Sequence, residues 1–126
     1  MKKFMLLIMA ALALAVNGQE TAKYNDLNYV LDEKNLTAEV DKNPQAAGEI
    51  VIPDEITVGQ KTFRVTVIGE KAFKGCKKLT NVVFPRYLER VYRSAFDGTA
   101  FLNDKQHYVG GLFIVNDTIL LYANKS

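Results

Sequence analysis

The chain has 126 residues, of which 48% are hydrophobic and 24% are charged, a size and composition typical of one globular domain. Its 16 Lys and Arg stand against 14 Asp and Glu, and the balance is 14 against 14 without the two lysines near the N-terminus. This neutrality gives no reason to expect a nucleic-acid partner. With one Cys and one His, the chain can form neither an intrachain disulfide nor a Cys/His zinc site, and we expect no cofactor.

The N-terminus has the layout of a secretory signal peptide. Two lysines precede an uninterrupted apolar run from Phe4 to Val16, and polar residues follow it. The run is shorter than the roughly 20 residues that span a bilayer, so we expect no stable membrane insertion after cleavage. We predict a signal peptide over residues 1–18 and a mature chain that begins at Gln19. No Cys near the cut can carry a lipid, so the protein is expected to be secreted, periplasmic or at the cell surface.

The segment that begins at Val67 returns with a step of 23, and a fixed period of about 20 to 29 residues is typical of leucine-rich solenoids. The corresponding pairs are Ile68 and Val91, Ala72 and Ala95, Phe73 and Phe96, and Gly75 and Gly98. A second correspondence relates residues 50–53 to residues 82–85 with a step of 32. A hairpin inserted at residues 56–66, around a Gly59-Gln60 turn, accounts for the longer step.

In such a solenoid, stacked units make one continuous core. Pro53 and Pro85 end the repeated strands, and Gly75 and Gly98 allow the turns between units. The residues predicted to point inward are Ile50, Ile52, Ile68, Ala72, Phe73, Val82, Phe84, Val91, Ala95 and Phe96.

These residues resemble the BspA-like leucine-rich repeat proteins, a secreted or surface family of the Bacteroides group. The resemblance covers about residues 47–101 and rests on Phe63 to Gly69, Ala72 to Cys76, Leu79 to Pro85 and Ser94 to Thr99. It implies a β-rich leucine-rich repeat solenoid of about two short units. It also implies non-catalytic binding of a protein or a host-surface glycoprotein, as in adhesion to matrix or mucin.

The repeat is short and departs from the family pattern. Continuing the step of 23 places Lys105 and His107 where Val82 and Phe84 stood, and Tyr92 replaces the expected glycine. We therefore predict β-hairpin caps at both ends of residues 49–101. The N-terminal cap, residues 19–48, pairs residues 27–31 with residues 36–40. The C-terminal cap, residues 102–126, pairs residues 110–115 with residues 119–122 across Asn116-Asp117.

Two surfaces are candidates for binding. Outward strand positions are the usual recognition surface of leucine-rich repeats, and here they are Val51, Thr80, Asn81 and Val83; contact with the neighbouring hairpins is an equally good interpretation. A basic cluster could bind acidic glycans, acidic proteins or anionic lipid head groups, or form a solvated rim; its members are Lys71, Lys74, Lys77, Lys78, Arg86, Arg90 and Arg93. Three tyrosines outside the inward pattern are further candidate anchors or cap residues: Tyr87, Tyr92 and Tyr108.

Other hypotheses remain open beside binding. One is a structural stacking partner, or a short remnant of a larger repeat protein, that self-associates. A remote alternative is a thiol hydrolase that uses Cys76 and His107, but Cys76 falls where the resembled family places a small buried residue, so we predict no enzyme. Thr118 lies in an Asp-Thr-Ile sequence that resembles an O-glycosylation site. The Asn35 and Asn116 acceptor patterns are taken as coincidences in a bacterial protein.

Overall fold

The structure, a computed structural model, describes residues 13–16, 19–104, 108–109, 112–115 and 118–123, and it places side chains for residues 20–92 and 94–104. These residues are β-rich, as the sequence predicts, with two short helical segments. The strands are β1 (Ala13–Val16), β2 (Gln19–Tyr24), β3 (Leu27–Asp32), β4 (Thr37–Val40), β5 (Gly48–Val51), β6 (Glu55–Val58), β7 (Lys61–Ile68), β8 (Leu79–Val83), β9 (Arg90–Val91), β10 (Tyr108–Val109), β11 (Leu112–Val115) and β12 (Thr118–Ala123). The helical segments are a 3-10 helix (Arg93–Phe96) and α1 (Ala100–Asn103).

Seven strands form one curled sheet in the order β1-β2-β3-β4-β7-β6, with β9 also paired to β7. Strands β1 to β4 are antiparallel neighbours, whereas β4 and β7 run parallel. Strand β7 is long enough to pair with β6 through its first half and with β9 through its last two positions. The curl brings β2 close to β6, so the inner side of the sheet encloses part of the core.

Two parallel ladders contain the residues that correspond in sequence. In the first ladder, Val40 pairs with Ile68, and Ile68 pairs in turn with Val91, which lies 23 residues later in the chain. In the second ladder, which is a separate two-stranded sheet, Ile50 of β5 pairs with its equivalent Val82 of β8. The pairing from Ile68 to Val91 and from Ile50 to Val82 therefore reproduces both steps seen in the sequence.

The turns that follow the two Ala-Phe pairs lie one on the other. The Phe73 N–H donates to the Ala95 carbonyl at 2.7 Å, and the Gly75 N–H donates to the Asp97 carbonyl at 2.8 Å. Gly75 and Gly98 have φ values of +80° and +78°, which glycine adopts without strain. A Cβ on Gly98 would lie 3.5 Å from the backbone of Gly75, so the two turns are in close contact.

The predicted interior is confirmed by burial. Eight of the ten predicted residues are buried: Ile52, Ile68, Ala72, Phe73, Val82, Val91, Ala95 and Phe96. The other two, Ile50 and Phe84, are half-buried and pack against the core. Phe73 and Phe96 stack with ring centroids 5.4 Å apart, and Phe84 and Phe101 meet Phe96 edge-on. Aromatic stacking therefore continues the contact between the turns into the core.

The N-terminal segment has more strands than the predicted hairpin. The two predicted strands are present as β3 and β4, but β2 also pairs with β3, and β1 pairs with β2. Strand β2 was not predicted, because its sequence Gln-Glu-Thr-Ala-Lys-Tyr has little strand propensity and pairing with β3 supplies the missing stabilisation. The predicted signal peptide overlaps β1, and its residues 1–12 and 17–18 lie outside the described residues.

The inserted hairpin is present as β6 and β7, joined by a tight turn in which Gly59 has a φ of +65°. Strand β7 extends past the predicted limit at residue 66 to Ile68, so the same strand serves the hairpin and the first ladder. The C-terminal segment contains β11 and β12 as predicted, and β10 pairs with β11 as a third strand. The predicted turn Asn116-Asp117 lies outside the described residues.

Candidate functional site

An exposed aliphatic pair lies on the outer face of the second ladder. Val51 on β5 and Val83 on β8 are paired neighbours, with 62% and 43% of their surface exposed. Next to them, Asn81 donates its side-chain N–H to the Glu49 carboxylate at 3.1 Å. Contiguous exposed apolar surface with a polar rim is a feature of interaction sites, and this pair forms the apolar part of such an arrangement. Val51, Val83, Asn81 and Glu49 together are called the outer face below.

Thr80, the fourth outward residue predicted on these strands, is exposed as well. The register shifts at this point, so that Gly48 pairs with Leu79 and Glu49 pairs with Asn81. Thr80 therefore has no partner residue in this ladder. The irregularity resembles a β-bulge, which re-aims side chains locally.

A cleft of about 490 Å³ adjoins β5, and no residue of β8 lines it. Its far wall is the turn between β2 and β3, where Asn25 and Asp26 both have positive φ, as a tight hairpin turn requires. Its floor is the connection between β4 and β5, residues 43–47. Val51 and Glu49 line the cleft as well as the outer face, so the two features are continuous.

Asn43 holds the floor of this cleft in place. Its side-chain oxygen accepts the Asn28 N–H at 2.7 Å, and its side-chain nitrogen donates to the Asp41 carbonyl at 2.7 Å. Its backbone N–H donates to the Ala72 carbonyl at 2.7 Å, and its carbonyl accepts the Cys76 thiol at 3.2 Å. One buried residue therefore joins the N-terminal strands to the repeated segments.

The basic residues predicted as a stripe occupy different elements. Four of them, Lys71, Lys74, Lys77 and Lys78, are exposed on the connection between β7 and β8. Arg90 lies instead on β9 in the large sheet, where it lowers the pKa of the neighbouring Glu39 carboxyl, although burial raises that pKa overall. The side chain of Arg93 lies outside the described residues. The structure thus groups the four lysines on one connection and places Arg90 beside an acidic residue.

The tyrosines predicted as anchors are already engaged by arginines. The Arg64 guanidinium lies 4.3 Å from the centre of the Tyr87 ring. Arg90 lies 5.4 Å from the Tyr92 ring centre and donates to the Tyr92 hydroxyl at 3.0 Å. Both rings are half-buried, so less of their surface is free for a partner than the sequence suggests. The side chain of Tyr108 lies outside the described residues.

The environment of Cys76 disfavours thiol chemistry. The side chain is buried and its thiol donates to a backbone carbonyl. Burial raises the pKa of the Cys76 thiol, which keeps it protonated at neutral pH and therefore weakly nucleophilic. His107, the base that a hydrolase would need, lies outside the described residues, as do the side chain of Thr118 and residue Asn116.

Within the part of the chain that the structure describes, no group of three or more His, Cys, Asp or Glu side chains could hold a metal ion. None of the helices in these residues has the length and apolar character that crossing a membrane requires. Comparisons with protein-family models, with curated proteins and with solved structures found no match for this chain.

The sequence singled out three of the residues that meet at this site but missed Glu49, Asn43 and the cleft itself. The Asn43-Pro44 dipeptide is a turn signal, so it could have marked the connection. Nothing in the sequence shows that this Asn is buried. The cleft depends on where the turn between β2 and β3 comes to lie, and that position is set by strand pairing far along the chain.

Proposed function

We propose that the chain is an exported, non-catalytic binding module built as a short leucine-rich repeat solenoid of the BspA-like type. Two observations support this architecture: the parallel pairing of residues that correspond in sequence, and the stacked turns. The resemblance in residues 47–101 supplies the expected class of partner, a protein or a host-surface glycoprotein.

The single observation that carries the binding function is the exposed pair Val51 and Val83 on the outer face. Leaving aliphatic surface in water is unfavourable, and removing it from water contributes about 25 cal/mol per Å² toward binding, against the entropic cost of association. The neighbouring Asn81 donates a hydrogen bond to the Glu49 carboxylate at 3.1 Å, which replaces part of the hydration of that group within the chain.

The test is capture of proteins from a host matrix and mucin extract by the immobilised protein. Val83→Lys places a charge in the outer face, and we expect it to abolish specific capture. Leu36→Lys is a matched control, because Leu36 has the same 43% exposure but lies outside the outer face, in the turn before β4. Equal capture by wild type and Val83→Lys would reject the outer face as the binding surface.

A parallel variant tests the basic residues. Replacing Lys71, Lys74, Lys77 and Lys78 by Ser removes four exposed positive charges without touching the outer face. Binding through the outer face predicts that this variant still captures the partner, with a weaker dependence on salt. Loss of capture in this variant alone would assign the binding site to the connection between β7 and β8, which carries these four lysines.

Export is tested separately, by determining the first residue of the protein recovered outside the cytoplasm of an expressing bacterium. We expect Gln19, as free glutamine or as pyroglutamate. Recovery of a chain that still begins at Met1 would contradict the predicted cleavage.

A further inference from the structure

We propose that the outer edge of β5 binds an extended polypeptide segment of the partner protein as an added β-strand. This inference rests on the proposed function and specifies the chemistry of the partner at the same site. It concerns backbone hydrogen bonds in the plane of the sheet, whereas the outer face concerns side chains that stand above it.

The backbone of β5 offers hydrogen-bonding groups on that edge. The Gly48 N–H donates to the Lys78 carbonyl at 2.7 Å, and the Ile52 N–H donates to the Val83 carbonyl at 3.0 Å, so the even-numbered residues face β8. Because successive residues of a strand direct their N–H and C=O groups to opposite edges, those of Glu49 and Val51 point away from β8. They face the cleft, which Glu49 and Val51 both line.

Residues of β5 are more exposed than their partners on β8, as expected if β5 lacks a neighbouring strand on its other edge. On the inner face, Val82 is buried while its partner Ile50 is only half-buried. On the outer face, Val51 is 62% exposed while its partner Val83 is 43% exposed. On both faces of the ladder, the residue on β5 is more exposed than its partner on β8. A strand added beside β5 would cover both of them.

The N-terminal strands protect one ladder and leave the other open. In the first ladder, the leading strand β4 is paired on its outer side with β3. In the second ladder, β5 pairs with β8, and no other described strand pairs with it. Unpaired edges are templates for further strands unless charge, proline or a covering segment blocks them. The charged residue of this edge, Glu49, is held by Asn81 on the outer face.

The dimensions and lining of the cleft indicate what segment fits. Strand β5, Gly48–Val51, corresponds to about 13 Å of extended chain. Side chains on one face of an added strand would continue the Val51 and Val83 row, and those on the other would lie over Ala46 and Ile50. Both neighbourhoods present aliphatic side chains, and polar residues of the cleft, among them Lys23, Asp26 and Gln45, adjoin them. The expected ligand is therefore a short extended segment rich in β-branched residues, bound by strand addition.

The probe is a fluorescein-labelled peptide with the sequence of residues 79–85, Leu-Thr-Asn-Val-Val-Phe-Pro, because this segment is the one that pairs with the opposite edge of β5. Binding to the purified protein is followed by fluorescence anisotropy, and the amides of Glu49 and Val51 by hydrogen exchange. We expect saturable binding that slows the exchange of both amides.

Two peptides N-methylated at alternate residues test the hydrogen bonding directly. An added strand uses only every second N–H, so one N-methylated peptide is expected to lose binding and the other to retain it. Binding of both like the parent peptide would overturn the proposal, because it would show contact through side chains alone.

Val51→Pro tests the protein side of the same bonds. It removes an N–H from the free edge, keeps an apolar side chain and spares the bonds to β8, since proline is tolerated at strand edges. We expect about tenfold weaker binding, the loss that corresponds to one unmade hydrogen bond. Val51→Ile, which keeps the N–H and an aliphatic side chain on the outer face, is the matched control. Glu49→Pro replaces Val51→Pro if the latter does not fold, as judged by circular dichroism.

The outcomes separate the two proposals. If Val83→Lys abolishes partner capture while Val51→Pro binds peptide and partner like wild type, the outer face stands and strand addition is overturned. If neither variant has an effect, both proposals fail. Concentration-dependent self-association that Val51→Pro abolishes would assign the edge to a second copy of the chain, with or without peptide binding, and absence of peptide binding would likewise overturn the proposal.

Discussion

The substitution Asn43→Ala removes the side-chain bridge beneath the cleft while leaving the backbone bonds of that residue in place. Three hydrogen bonds are lost: one from the Asn28 N–H at 2.7 Å, one to the Asp41 carbonyl at 2.7 Å, and a weaker one to the Asn28 carbonyl at 3.4 Å. The two short bonds determine the loss in the free energy of unfolding, since each buried polar group left without its hydrogen bond costs about 1–3 kcal/mol.

Because the site borders an open cleft, water can partly replace the lost amide. We therefore expect the free energy of unfolding to decrease by about 2–4 kcal/mol. Urea unfolding followed by circular dichroism measures this loss, which corresponds to a melting temperature lower by roughly 10 °C. Asn103→Ala is the control, since Asn103 is exposed on α1, and we expect a change of at most about 0.5 kcal/mol. If Asn43→Ala unfolds at the same urea concentration as Asn103→Ala, Asn43 does not join the N-terminal strands to the repeated segments.

Three further predictions concern the core, the buried thiol of Cys76 and the half-buried carboxyl of Glu39. Phe96→Ala empties the centre of the aromatic cluster and is expected to cost about 3–5 kcal/mol in the same urea assay; a cost under about 1 kcal/mol would mean that the Phe73 stack contributes little. Cys76 should react with iodoacetamide at neutral pH at least about a hundredfold more slowly in the folded protein than in urea, because the thiol is buried and its pKa is raised; equal rates would restore the nucleophile hypothesis. Burial and Asp41 raise the pKa of Glu39 in the folded state, so the ionised carboxylate destabilises the fold as pH rises through that pKa. Glu39→Gln should therefore be more stable than wild type at pH 7 and equal to it at acid pH, and a constant difference between the two proteins at all pH values would contradict this account.

The buried repeat residues could be predicted because their pattern is local. Phe73 and Phe96 each follow an alanine and stand 23 residues apart in the sequence, and both rings are buried and stacked on one another. The inserted hairpin of β6 and β7 could be predicted as well, because a glycine turn between two β-branched segments specifies a hairpin.

Neither the pairing of β2 with β3 nor the role of Gly69 could be predicted from the sequence. A Cβ at Gly69 would lie 2.7 Å from the Val40 carbonyl and also touch the Glu39 carboxylate. Tyr92 occupies the corresponding repeat position, and both residues donate the equivalent backbone hydrogen bond, Gly69 to the Val40 carbonyl and Tyr92 to the Ile68 carbonyl. The sequence shows only that the two residues differ.

By itself, the sequence determined the β-rich class of the fold, the two repeat steps and the aliphatic and aromatic residues that form the core, since these follow from local periodicity and side-chain polarity. Only the tertiary structure decided which ladder the N-terminal strands cover and which edge they leave open. That outcome depends on pairing between β4 and β7, which are separated in the chain by β5 and β6. Such contacts are selected by the fit of whole strands against one another, and no short window of the chain contains both sides of that fit.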